Sequence, residues 1–140
     1  MTARDVVDGL LAELRENVSY LDPLRALTPR EYENDVARRK MAERCLQVAI
    51  ECLIDLAHHL VSEHSWGHSG SGEKALDVLA SHGVIPGELR ERLRGVVGFR
   101  NVLVHNYVGL DHTHVHSHLA RLGDLVDFGR HVQAFVDRKP

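Results

Sequence analysis

The stretch DHTHVHSHLARLGDLV, residues 111–126, decides the fold class. His112, His114, His116 and His118 alternate, as they would on a strand that shows all four to one side. Val115, Leu119 and Leu122, with Val126 beyond, follow a 3.6-residue period instead. The apolar residues must be buried and the histidines need not be, so the apolar period prevails and the segment is predicted to be a helix. On a helix, His112 and His116 share one face, and His114 and His118 nearly the opposite one. The ladder then becomes two i,i+4 pairs. Two histidine ligands without a third make a poor metal site, and His64 and His68 repeat the same incomplete spacing. No HExxH or CxxC joins them, so neither a metal nor another cofactor is expected.

The same reasoning extends along the chain. Val6, Val7, Leu10, Leu11, Leu14 and Val18 put a first helix at 2–21, and Asp22-Pro23 interrupts it. Thr28-Pro29-Arg30-Glu31 forms a capping box that opens a long helix over 29–64. Met41, Cys45, Val48, Cys52 and Leu56 supply its core stripe. SWGHSGSG, 65–72, is a loop. A short helix over 73–81 closes at Gly83, and Pro86 opens another over 86–106. Asp111 caps the last helix, 112–137. These elements predict an all-α antiparallel bundle of four to five helices, a single domain spanning residues 1–140.

The composition narrows the function. Formal net charge is −3 with 26% charged residues, so a protein that coats nucleic acid non-specifically is excluded and any such contact must be local. Only Lys40, Lys74 and Lys139 are lysines; the other basic residues are arginines, which suit bidentate phosphate contacts, although a GC-rich genome gives the same bias and is the weightier cause. No apolar run approaches the length of a membrane span, and MTARDVVDGL lacks a signal-peptide core. A cytoplasmic protein with no membrane partner is expected. Cys45 and Cys52 lie seven residues apart on one helix, about 10.5 Å, too far for a disulfide.

Within GFRNVLVHNY, 98–107, Arg100, Asn101 and His105 form a set able to cleave RNA without metal. Histidine can move a proton near neutral pH, arginine can hold the scissile phosphate, and the 2′-hydroxyl serves as nucleophile. Asn101 and His105 are i,i+4 and share a face. Arg100 and His105 diverge by roughly 140° on one helix. They converge only if the helix end unwinds or a second helix approaches. Arg90 and Arg94 would extend a phosphate-binding track for RNA. An ion-paired bundle arginine and a capping histidine would fit the same spacing. Arg44, Gln47, Glu51 and Asp55 form a polar stripe on the long helix. It is either a solvated face or a support in which Glu51 or Asp55 turns inward to orient Arg100 or His105.

FRNVLVHNY, 99–107, resembles the R-x4-H-x-Y signature of HepT toxins in the HEPN superfamily. AERCLQVAIECLIDLAHHLV, 42–61, is similar to that family's second helix, with Glu43-Arg44, Gln47, Glu51 and Asp55, and LASHGVIP and Gly98-Phe99 also fit. The resemblance implies a HEPN-like bundle that homodimerises and brings Arg100 and His105 of two chains together in a cleft. Val96, Val97, Gly98, Val102 and Val104 would line the contact. It further implies a metal-independent endoribonuclease toxin of an MNT–HepT toxin–antitoxin pair. A nucleotidyltransferase antitoxin of the MNT type would silence it by adenylylating Tyr107. A competing reading is a non-catalytic helical subunit that binds nucleotide or presents substrate to a nucleotidyltransferase.

Overall fold

A computed structural model describes residues 1–138. The described residues form eight α-helices and three short 3-10 turns. They are α1 (Ala3–Leu21), α2 (Pro29–Asn34), α3 (Val36–Glu63), α4 (Gly72–Ser81), α5 (Gly87–Arg92), α6 (Val96–His105), α7 (His112–His118) and α8 (Leu122–Arg138). All five expected helical segments are present, and three of them are broken in two. The 29–64 segment breaks at Asp35, whose side chain caps α3 by accepting from the Arg38 N–H. The 112–137 segment breaks at a 3-10 turn over Leu119–Arg121. The 86–106 segment breaks at Gly95, whose φ of +84° is a left-handed conformation that a residue with a Cβ adopts only under strain. That break aims α6 independently of α5.

The local signals work as the sequence indicates. Thr28 and Glu31 bond reciprocally across the start of α2, at 3.1 and 2.9 Å, and Asp111 accepts from the Thr113 and His114 N–H groups. Such caps contribute about 1 kcal/mol each.

The central element is α3. It packs against α1 most extensively and also against α4, α6, α8 and α2. Its buried set is therefore broader than one stripe: Cys45, Cys52 and Leu56 are joined by Leu46, Ala49, Ile50, Leu53 and Leu60. Met41 is 39% exposed and leaves the core. Both cysteines are buried thiols. One 18-residue window of α3 has a mean hydropathy of 1.3, enough by length and composition to cross a membrane, although no such run was expected. Within the bundle 61% of that window is buried, so its apolar surface is used for packing.

Two contacts fix how α6 lies on α3. A Cβ placed on Gly72 would stand 3.1 Å from Val97 Cγ2 and 3.3 Å from Ile54 Cγ2, so Val97 meets Ile54 where the start of α4 approaches. Three residues along α6, Arg100 meets Glu51. Rising numbers on α6 thus pair with falling numbers on α3, and the two helices run antiparallel.

Candidate functional site

One face of α6 is built into the core through Val96, Val97, Phe99 and Leu103. The residues between them, Arg100, Asn101 and His105, are left on the open side. The helical period alone produces this division.

Arg100 is held from two sides. Its Nη1 donates to Glu51 Oε1 at 2.6 Å, and its Nε donates to Asn101 Oδ1 at 3.0 Å. The pair is only partly desolvated, with 21% of the Arg100 side chain and 35% of the Glu51 side chain exposed. Two of the guanidinium's five N–H groups are therefore engaged, and the others remain available to an anion. One turn further along α3, Asp55 has its carboxyl pushed up by burial and by the Glu51 charge, while His58 and Arg100 draw it back. The polar stripe on α3 is thus a mixture: Glu51 is turned to Arg100, and Asp55 remains exposed.

His105 is the last residue of α6. It is exposed, and its ring makes no hydrogen bond, ion pair or ring contact with any described residue. The helix holds its form up to His105, so unwinding does not bring Arg100 and His105 together. Their divergence, roughly 140° on a regular helix, persists. Just beyond, Tyr107 opens a 3-10 turn over Tyr107–Gly109 and is 66% exposed.

Arg90 and Arg94 do not extend this surface. Arg90 is 3% exposed, with Nε 2.6 Å from Asp77 and Nη2 2.8 Å from Glu73. It clamps α5 onto α4 and cannot reach an RNA phosphate. Arg94 is exposed, but it is paired with Glu91 at 3.0 Å and faces Asp77 at 3.7 Å. The break at Gly95 separates both from α6. Val96 and Val97 are likewise withdrawn from any contact between chains, because they are buried within this one. Gly98 is open, and Val102 and Val104 are half-buried.

The histidine ladder divides as the helical period requires. His112 contacts the Arg39 guanidinium, and His116 Nε2 bonds the Leu27 carbonyl at 2.7 Å. On the other face His118 stacks on Phe99, with ring centroids 3.6 Å apart and planes 6° apart, and His114 meets Phe99 edge-on. Burial, with help from His114 and Arg121, pushes the His118 imidazole down to about 4. The ladder therefore supports α6 from behind, through the residue next to Arg100. No local pattern in the sequence marks this contact, since Phe99 and His118 lie 19 positions apart.

The fold is thus an antiparallel helical bundle that offers, from one helix, an anchored arginine and a histidine with no partner among the described residues. The chain overlays a structure of the tri-AMPylated Shewanella oneidensis HEPN toxin in complex with MNT antitoxin at a TM-score of 0.82. The identity is 23%, over 96% of this chain and 99% of that one. The family model described as "Ribonuclease HepT-like" matches residues 11–134, and the chain belongs to this family. Among individual relatives, it is 28% identical over 95 residues to a tRNA nuclease HepT of Aphanizomenon flos-aquae, covering 66% of this chain and 65% of that protein. It is 33% identical over 66 residues to an mRNA nuclease HepT of Shewanella oneidensis, covering 47% of this chain and 50% of that protein. The chain thus spans about half to two thirds of the length of these two relatives.

Proposed function

We propose that this chain is a metal-independent endoribonuclease toxin whose partner is an MNT-type nucleotidyltransferase antitoxin. The observation that carries the reading is the pairing of an arginine fixed by Glu51 and Asn101 with an exposed, unpartnered His105 on the same helix. The HepT-like family match and the nuclease relatives support it.

The chemistry needs no group beyond these and the substrate. The RNA 2′-oxygen attacks the adjacent phosphorus, the P–O5′ bond breaks, and a 2′,3′-cyclic phosphate and a 5′-hydroxyl result. Arg100 neutralises charge on the phosphoryl oxygens as it builds. His105 takes the proton from the 2′-hydroxyl or returns one to the leaving 5′-oxygen. One histidine cannot do both at once. A second copy of α6, related by a two-fold axis, supplies the other His105 and resolves the divergence of Arg100 and His105 within one chain. Gly98, Val102 and Val104 are the part of α6 still accessible for that contact. Asp55 is a supporting carboxylate beside Glu51. In this reading the antitoxin silences the toxin by adenylylating Tyr107.

The test is cleavage of a single-stranded RNA in EDTA by the wild-type protein and His105→Ala. The wild type is expected to leave cyclic-phosphate ends. The variant is expected to be inactive with an unchanged melting curve, because His105 contributes nothing to the core. Loss of wild-type activity in EDTA, restored by a divalent metal, overturns the mechanism. Light scattering is expected to give twice the 15.7 kDa chain mass, and a monomer that still cleaves refutes the shared cleft.

A further inference from the structure

The expected phosphate track through Arg90 and Arg94 is occupied by carboxylates. Arg39 is turned onto His112. Arg44, near the start of the polar stripe on α3, is different: it is exposed and bonds to no described residue.

Its position follows from the contacts that set α6 on α3. Arg44 precedes Glu51 by seven residues, close to two full turns, so the two lie within about 20° of the same face. Glu51 marks that face as the one turned to Arg100. Along the axis Arg44 lies about 10.5 Å from Glu51, and His105 lies about 7.5 Å from Arg100 in the same direction, because the helices are antiparallel. Arg44 is therefore level with the end of α6, on the side of that helix from which Arg100 reaches Glu51.

We propose that Arg44 is a substrate-binding residue of this cleft, gripping the RNA phosphate that flanks the one held by Arg100. The assignment rests on the nuclease reading above. It gives the site two arginines of different duty. Arg100, fixed by Glu51, holds the reacting phosphate. Arg44, free of any internal partner, contributes charge along the strand without touching the reacting atoms. An unpaired arginine keeps its donors for the ligand, and its contact is sequence-independent.

The test compares wild type, Arg44→Ala and Arg44→Glu on a fluorescein-labelled single-stranded RNA. Arg44→Ala is expected to raise KM by about tenfold with kcat within about twofold, and Arg44→Glu to raise it further. Lysine at this position should recover most of the loss. Binding is read in a His105→Ala background, where RNA is not cut. There, Arg44→Ala should lower the slope of log Kd against log salt by close to one counterion, about 0.7. The exposed side chain forms no hydrogen bond or ion pair with a described residue, so melting temperatures should agree, and Arg44→Lys covers any variant that fails to fold. An unchanged KM and salt slope, with wild-type cleavage intact, overturns the Arg44 assignment alone. A fall in kcat at constant KM does the same. Failure of the wild type to cleave any RNA overturns the nuclease reading and this assignment with it.

Discussion

Arg100 Nη1 lies 2.6 Å from Glu51 Oε1, and this bond joins α6 to the central helix α3 across 49 residues of sequence. The carboxylate does more than balance charge. It limits the rotamers of a long side chain that would otherwise sweep a wide volume, and Asn101 fixes the guanidinium plane from the other side. The result is an arginine whose remaining donors are held in a set direction.

Glu51→Gln is expected to lower kcat for RNA cleavage on the order of tenfold to a hundredfold, since loosening a positioned phosphate ligand misplaces the reacting group. Stability should fall by less than about 1 kcal/mol, because the pair is partly solvated. Single-turnover cleavage and thermal melting measure the two effects separately. A large loss of stability with unchanged turnover would make the pair structural only.

His118 predicts a pH dependence of stability. Its imidazole sits at about 4 in the folded chain, against 6.5 as its ordinary value, chiefly because burial on Phe99 disfavours the cation. The unfolded chain then binds the proton more readily than the folded one. Stability is complete above about pH 6.5 and is lost as pH falls toward 4. The loss from this group is on the order of 2 kcal/mol, after discounting for partial exposure. His118→Phe keeps the stack and removes the titration. The difference in melting temperature between variant and wild type should therefore widen in the variant's favour from pH 7 to pH 4.5. A constant difference across that range rejects the assignment.

The sequence revealed most where the governing interaction is local. Thr28 and Asp111 cap helices within three residues of themselves, and the 3.6-residue period of Val115, Leu119 and Leu122 outweighs the alternation of the histidines. Interactions between distant positions were hidden. Arg90 and Arg94 look like an exposed i,i+4 pair until Glu73 and Asp77 arrive on α4 and bury the first of them. Gly95 lies among Leu93, Val96 and Val97, which fit a continuous helix, and only the structure shows that α5 ends at Arg92 and that α6 starts anew after Gly95 with its positive φ. Glu51 was visible as part of a polar stripe, but its alternatives, solvent or Arg100, differ by a contact between helices that no spacing encodes. Arg100, His105 and Tyr107 could be read together from the sequence because they fall within eight consecutive residues.

Tyr107 is the most exposed of the tyrosines. Three tyrosines are present. Tyr32 is fully buried, and burial pushes its phenol up to about 12. Tyr20 is 50% exposed, but its hydroxyl donates to Glu16 at 2.8 Å, which holds the proton more tightly. Tyr107 is 66% exposed on a short turn two residues past His105, and its hydroxyl bonds to no described residue. A nucleotidyltransferase with ATP is therefore expected to adenylylate it. The phenolic oxygen attacks the α-phosphorus, pyrophosphate leaves, and the phenolic proton passes to a base of the transferase. The product places a phosphodiester anion and a nucleoside at the mouth of the Arg100–His105 surface. That anion competes for the arginine donors that the RNA phosphate needs, by the same charge-assisted bonds. Cleavage should stop while the melting curve is preserved, and Tyr107→Phe should keep the nuclease but escape silencing. Intact-mass spectrometry after incubation with an MNT-type nucleotidyltransferase and ATP is expected to show an added adenylyl group that maps to Tyr107. An unchanged mass, or an adduct on Tyr20 or Tyr32, refutes the switch.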